Sequence, residues 1–189
     1  MISENTDILN ELQEIMDKHR NPINDYNKIL SNYSYKKMSV GDSIYGMHFP
    51  EQQLEKYFEY DGKLTEDERK KDFVYYFDKN NKLILTERYS NGSILNIILF
   101  YYFESKIEIV WYCMKRKKVN VIGKIVYQNN NLTKFIESGD ITRGINSFKE
   151  YLFNTNDDNI NIKSYMKYSS DKEIVMNSRM KKKVKTEYK

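Results

Sequence analysis

The chain has no alanine, one cysteine, one tryptophan, two prolines, two histidines and seven glycines among its 189 residues. Each scarcity excludes something. A lone Cys113 rules out an internal disulfide and any cysteine-built structural zinc site. So few prolines and glycines rule out collagen-like or proline-rich linker architectures. His19 and His48 are far apart and form no His-x-x-x-His pattern, so neither a metal nor another cofactor is expected. Long apolar runs are missing too. The longest, from Ile97 to Phe103, is far short of the roughly 20 residues that cross a bilayer. The first residues, Met-Ile-Ser-Glu-Asn-Thr-Asp, lack the basic and apolar regions of a signal peptide. The expectation is a soluble cytoplasmic protein with a reduced thiol and no membrane contact. The missing alanine, beside 20 asparagines and 20 isoleucines, follows the pattern of A+T-rich codons. No single Asn or Lys is therefore evidence of chemistry on its own.

What is present is enough for a packed core. Apolar residues make up 40% and aromatics 14%, too rich for disorder. This length suits one domain that buries roughly 70% of its unfolded surface. The net charge of +4 conceals an asymmetry: residues 1–70 carry −5 and the remainder +9.

The N-terminal segment reads as an amphipathic helix. Thr6 is the expected cap, and Ile8, Leu12, Ile15, Met16 and His19 form one stripe. Asn21-Pro22 should stop it. Tyr26, Ile29, Leu30 and Tyr33 suggest a short helical turn, and residues 41–46 a loop. Pro50 is placed to open a further helix with Leu54, Tyr57 and Phe58 on its apolar side, closed by Asp61-Gly62. From Asp72 the period shifts to two. Strands are expected at 73–78, 83–89, 94–103, 107–113, 119–127 and 132–136, separated by short Asn-, Ser- and Lys-rich turns. Asn91-Gly92 is the strongest turn signal, because both central residues of a type I′ turn need positive φ. Such short connections cannot hold a crossover helix, so the strands must form an antiparallel meander. Gly123 marks a bulge or a close approach. Ile145, Phe148, Tyr151 and Leu152 suggest a third helix, and residues 160–176 another strand or helix. The tail from Arg179, with Lys181, Lys182, Lys183 and Lys185, reads as frayed. The expected fold is a single α+β domain over 1–178, with a six-stranded central meander at 72–137. Helical segments at 1–62 and helical or mixed structure at 141–178 would pack on one face, and 179–189 would be a basic flexible tail.

No catalytic pattern stands out, and an enzyme is not expected. His19 belongs at a helix C-terminus, where its charge suits the dipole. Cys113 falls on an inward strand position, where a thiol acts as a small apolar residue. Its pairing with His48 as a nucleophile and base is the weaker reading. Two surfaces carry concentrated charge. One is acidic, with Glu51, Glu55 and Glu59 at i, i+4 spacing, followed by Asp61, Glu66, Asp67 and Glu68, and with Tyr57 and Tyr60 as possible anchors. The other is the basic hairpin tip of Lys115, Arg116, Lys117 and Lys118. Rows of exposed acids and cationic tips both commonly do no more than solvate a fold.

The run Tyr75-Tyr76-Phe77-Asp78-Lys79-Asn80-Asn81-Lys82-Leu83-Ile84-Leu85, followed by further short Tyr-rich hairpins, resembles the meanders of bacterial polymorphic-toxin immunity proteins. The similarity covers residues 72–137 and rests on hairpin style and composition. It implies a small cytosolic protein that binds one cognate toxin domain and occludes its active site, with no functional residues carried over. The acidic 51–68 segment would then enter a basic cleft, with Glu51, Glu55 and Glu59 steering approach. A toxin with an acidic or neutral surface would instead meet the Lys115–Lys118 edge. The alternative partner is nucleic acid, bound through that hairpin and the C-terminal lysines, with Tyr75, Tyr76, Tyr101 and Tyr102 available to stack on bases.

Overall fold

Period-two apolar patterning and short Asn-rich turns build a sheet that runs well past the six expected strands. The computed structural model describes residues 2–44, 62–129, 131–139, 145–153, 159–167 and 173–181. Two helices come first, α1 at Ile2–Lys18 and α2 at Ile23–Leu30. Eleven strands follow: β1 Tyr35–Val40, β2 Lys63–Leu64, β3 Phe73–Phe77, β4 Leu83–Ser90, β5 Ser93–Tyr102 and β6 Lys106–Cys113, then β7 Lys118–Gln128, β8 Asn131–Gly139, β9 Ser147–Phe153, β10 Asn159–Lys167 and β11 Glu173–Lys181. All join one antiparallel sheet in the order β11-β10-β9-β8-β7-β6-β5-β4-β3-β1-β2. Only β1 breaks chain order, lying between β2 and β3.

The α+β class and the antiparallel meander hold, and the six expected strands are β3 to β8. Asn91 and Gly92 have φ of 49° and 73°, as a type I′ hairpin requires. Asn81, Lys117 and Asn129 also take positive φ in their turns. Gly123 is a close approach: a Cβ there would lie 3.2 Å from the Phe135 ring and 3.4 Å from the Ile136 carbonyl oxygen.

Five expectations need correction. The segment 1–62 is not helical throughout, because Tyr35–Val40 forms β1, drawn into the sheet by pairing with β3. The meander has eleven strands, not six. The third helix over 145–152 is strand β9, and 159–167 and 173–181 are strands as well, so the described part of 141–178 is not helical. A few apolar residues in a short window fit both periods. Pairing decides, because β9 hydrogen-bonds to β8 and β10 on both sides, while a short helix would carry its own nucleation cost. Arg179 belongs to β11 rather than to a frayed tail. Thr6 lies inside α1 and not at its cap. The helix expected from Pro50 falls outside the described residues.

Each central strand feeds a core on both of its sides. On one side α1 sets Ile8, Leu12 and Ile15 against Val110, Ile122, Ile136 and Phe148. Next to it, α2 sets Tyr26 and Ile29 against Val74, Leu85, Ile97 and Leu99. Each fully buried side chain of this kind contributes roughly 1.5–3 kcal/mol. The opposite side carries the largest core, from Phe73 and Tyr75 through Ile98, Phe100, Ile109 and Ile125 to Phe135, Tyr151 and Ile160. No helix among the described residues covers it. Tyr35 of β1 and Met180 of β11 both pack against this one core, which fits the curl that twist imposes on so long a sheet. β5 is thus covered on both sides, as its apolar run suggests.

Candidate functional site

Two buried carboxylates organise the helical side of the sheet. Glu87 on β4 accepts hydrogen bonds from three tyrosines: Tyr26 of α2 at 2.6 Å, Tyr76 at 2.7 Å and Tyr89 at 2.8 Å. Burial, and then the adjacent carboxylate, push all three phenols well above the usual tyrosine range. Glu108 on β6 meets cations instead. Lys18 lies 2.8 Å and His19 3.0 Å from its Oε2, and Lys106 lies 2.8 Å from its Oε1. Burial alone would raise this carboxyl, but hydrogen bonds from Lys106, Lys18 and His19 outweigh it and bring its pKa to about 2. The His19 ring stacks on Tyr101 at 3.8 Å between centroids, and the Tyr101 hydroxyl donates to Asp25 at 2.8 Å. Both clusters fasten a helix to the sheet. Glu108, buried and held as an anion, is a poor general base near neutrality.

Sequence reading assigns His19 to the helix dipole and overlooks both carboxylates. The signal was available for Glu108, a charge between Ile107 and Ile109 on a strand with two apolar sides. Its partners Lys18 and His19, at the C-terminal end of α1, lie about 90 residues away along the chain, and no local pattern reveals them.

The two charged surfaces fare differently. Glu51, Glu55, Tyr57, Glu59, Tyr60 and Asp61 lie outside the described residues. Glu66, Asp67 and Glu68 follow β2, and two of them have local partners. Glu68 accepts from Lys36 at 2.8 Å, and Asp67 lies 3.5 Å from Arg69. Lys115, Arg116 and Lys117 form the exposed β6–β7 turn and lead into half-buried Lys118. Among the described residues, no carboxylate pairs with any of these four. Cys113 is buried and free, with Asn96 as its cross-strand neighbour. His48 lies outside the described residues. The tyrosines offered for stacking are largely committed elsewhere. Tyr75 and Tyr76 are buried, Tyr75 bonding Ser39, Ser43 and the Ile44 amide, while the Tyr102 hydroxyl donates to the Leu83 carbonyl.

A cavity of about 540 Å³ opens on the β7–β11 part of the sheet. Val121, Phe148, Ile174 and Met176 supply apolar wall, and Glu137 and Lys149, cross-strand neighbours, supply charge. Tyr151 donates to Glu137 at 2.9 Å. Among the described residues no group of three or more His, Cys, Asp or Glu could hold a metal ion, and no helix is long and apolar enough to cross a membrane. No family model, curated protein or solved structure matches this chain.

Proposed function

We propose that the chain is a non-catalytic protein-binding module, most concretely an immunity protein that neutralises a cognate toxin domain by occluding its active site. The observation that supports this reading is the distribution of unpaired charge. Glu87 and Glu108 are spent inside the fold, and Asp67 and Glu68 on neighbouring cations. The Lys115–Lys118 tip keeps four cations without carboxylate partners among the described residues. It stands at the end of the β6–β7 hairpin, whose strands pair on their outer sides with β5 and β8. Such a tip suits an acidic protein surface, steering its approach and fixing its orientation. This favours the basic hairpin over the acids of 66–68 as the contact. The cytoplasm is the compartment in which such a protein would meet a toxin.

The test is to look for a toxin domain encoded beside this gene and to co-express the two. Survival of the host and co-purification of the two chains are expected. Lys115→Glu with Lys117→Glu, checked for folding by circular dichroism, should weaken capture about tenfold or more, some ~1.4 kcal/mol. The absence of both protection and co-purification would sink the reading. Nucleic acid is the second candidate for the same cations. Its aromatic component is weakened by the burial of Tyr75 and Tyr76. Retention on heparin that collapses between low and moderate salt, with no toxin capture, would favour it.

A further inference from the structure

Across the last strands, one face of the sheet runs short of bulk. Phe135, Tyr151 and Ile160 belong to the core on that face. Side chains alternate along a strand, so the same face continues with Glu137 and Gly139 of β8, Lys149 and Ser147 of β9, and Ser164 and Met166 of β10. An unbroken register sets them side by side. Glu137 is opposite Lys149, Lys149 opposite Ser164, and Ser147 opposite Met166. On β11, Met176 is opposite Ser164 and Ile174 opposite Met166. Gly139, Ser147 and Ser164 are too small to fill this area, and a Cβ at Gly139 would meet nothing within 4 Å. The hollow they leave is the cavity of about 540 Å³, inside the roughly 300–1,000 Å³ range of small-molecule sites.

The lining has a definite chemistry. Met166 is 43% exposed and Met176 63%, leaving two flexible thioether chains that can adapt to an apolar body laid against them. Glu137 is engaged on the β8 side, where Tyr151 donates to it at 2.9 Å. Lys149 is exposed and has no carboxylate partner among the described residues. Ser147, two positions before it on β9, and Ser164, its neighbour on β10, bring a hydroxyl each to the same face. An ammonium flanked by two hydroxyl donors, beside an apolar wall, is complementary to a carboxylate carried on an alkyl chain.

We propose that this cavity binds a small amphipathic carboxylate, its alkyl chain against Met166, Ile174 and Met176 and its head group at Lys149 between Ser147 and Ser164. The carboxylate sits on the β10 side of Lys149, away from Glu137 on β8. No residue of the Lys115–Lys118 tip lines the cavity, so this proposal and the toxin-binding reading stand or fall independently.

The full chain should bind dodecanoate, supplied below its micelle concentration, saturably and one to one in titration calorimetry. The single tryptophan, Trp111, is opposite Val121 of the cavity wall, so its fluorescence should change along the same curve. Dodecyltrimethylammonium should bind about tenfold more weakly or worse. Lys149→Gln should weaken dodecanoate about tenfold or more and leave dodecanol unaffected. Gly139→Leu places a side chain in the open space, so it should abolish binding of both ligands without lowering the melting temperature. Lys115→Glu with Lys117→Glu should leave dodecanoate binding intact. Absence of saturable dodecanoate binding would overturn the proposal. So would equal binding of the trimethylammonium chain, or a Lys149→Gln variant that holds dodecanoate as well as the wild type.

Discussion

Among single residues, Glu108 has the most to lose. Its carboxylate is almost fully buried, and three cationic or imidazole groups from α1 and β6 converge on it. Its pKa falls from the ordinary 4.5 to about 2, so the fold prefers the ionised form. The sign follows directly. The stabilisation is complete above the unfolded value of 4.5 and is lost as pH falls toward 2. Glu108→Gln should therefore be less stable by about 2–3 kcal/mol near neutrality, allowing for the half-exposed Lys18. The gap between wild type and variant should close as urea melts are repeated down through pH 4 to about 2. A gap independent of pH would mean that the residue acts through packing alone. Sequence reading places the residue on a strand with apolar neighbours, but cannot say that Lys18 and His19 come to it from a helix far away in the chain.

At the scale of elements, the hairpins were legible and the outer strands were not. A turn such as Asn91-Gly92 declares itself within four residues because positive φ is a local demand. β9 has no such marker. Phe148 and Tyr151 fit a helical face, yet in the structure Phe148 stacks on Tyr165 at 5.1 Å and Tyr151 on Phe135 at 5.3 Å. Those partners belong to neighbouring strands, and the neighbours select the conformation. β1 is the other omission, since its pairing with β3 depends on a strand more than 30 residues later. Gly123 was legible as a close approach, and it supports a prediction. Gly123→Val would drive side-chain atoms into Phe135, already 3.2 Å from where a Cβ would sit. Destabilisation of about 1–3 kcal/mol is expected, and thermal melts would show it. An unchanged melting temperature would mean that the Phe135 ring can move aside freely.

The molecule as a whole is a sheet whose two sides are both closed by tyrosine-rich cores. Tyr26, Tyr76, Tyr89, Tyr101 and Tyr151 lie on both sides of it. Burial first, and a neighbouring carboxylate second, hold all five phenols above their ordinary value. The neutral form is the one the fold binds, so the unfolded chain releases these protons first. Stability should be full below about pH 10 and fall steeply above it. Absorbance of tyrosinate should rise together with unfolding as pH increases, not ahead of it. Early ionisation in a folded chain would show that these hydroxyls reach water.

The sequence by itself determined the class of fold, the six inner strands and their turns, because alternation and positive φ are short-range properties. It also located the basic tip, since charge at a hairpin turn has nowhere to hide. Only the tertiary structure decided which charges remain available. The sequence places Glu87 and Glu108 on strands but does not name their partners, and burial with those distant partners commits both to the core. The scarcities noted first, no alanine and few prolines and glycines, suit a chain that keeps adding strands. How far the sheet extends beyond the six inner strands depends on contacts between residues far apart in the chain.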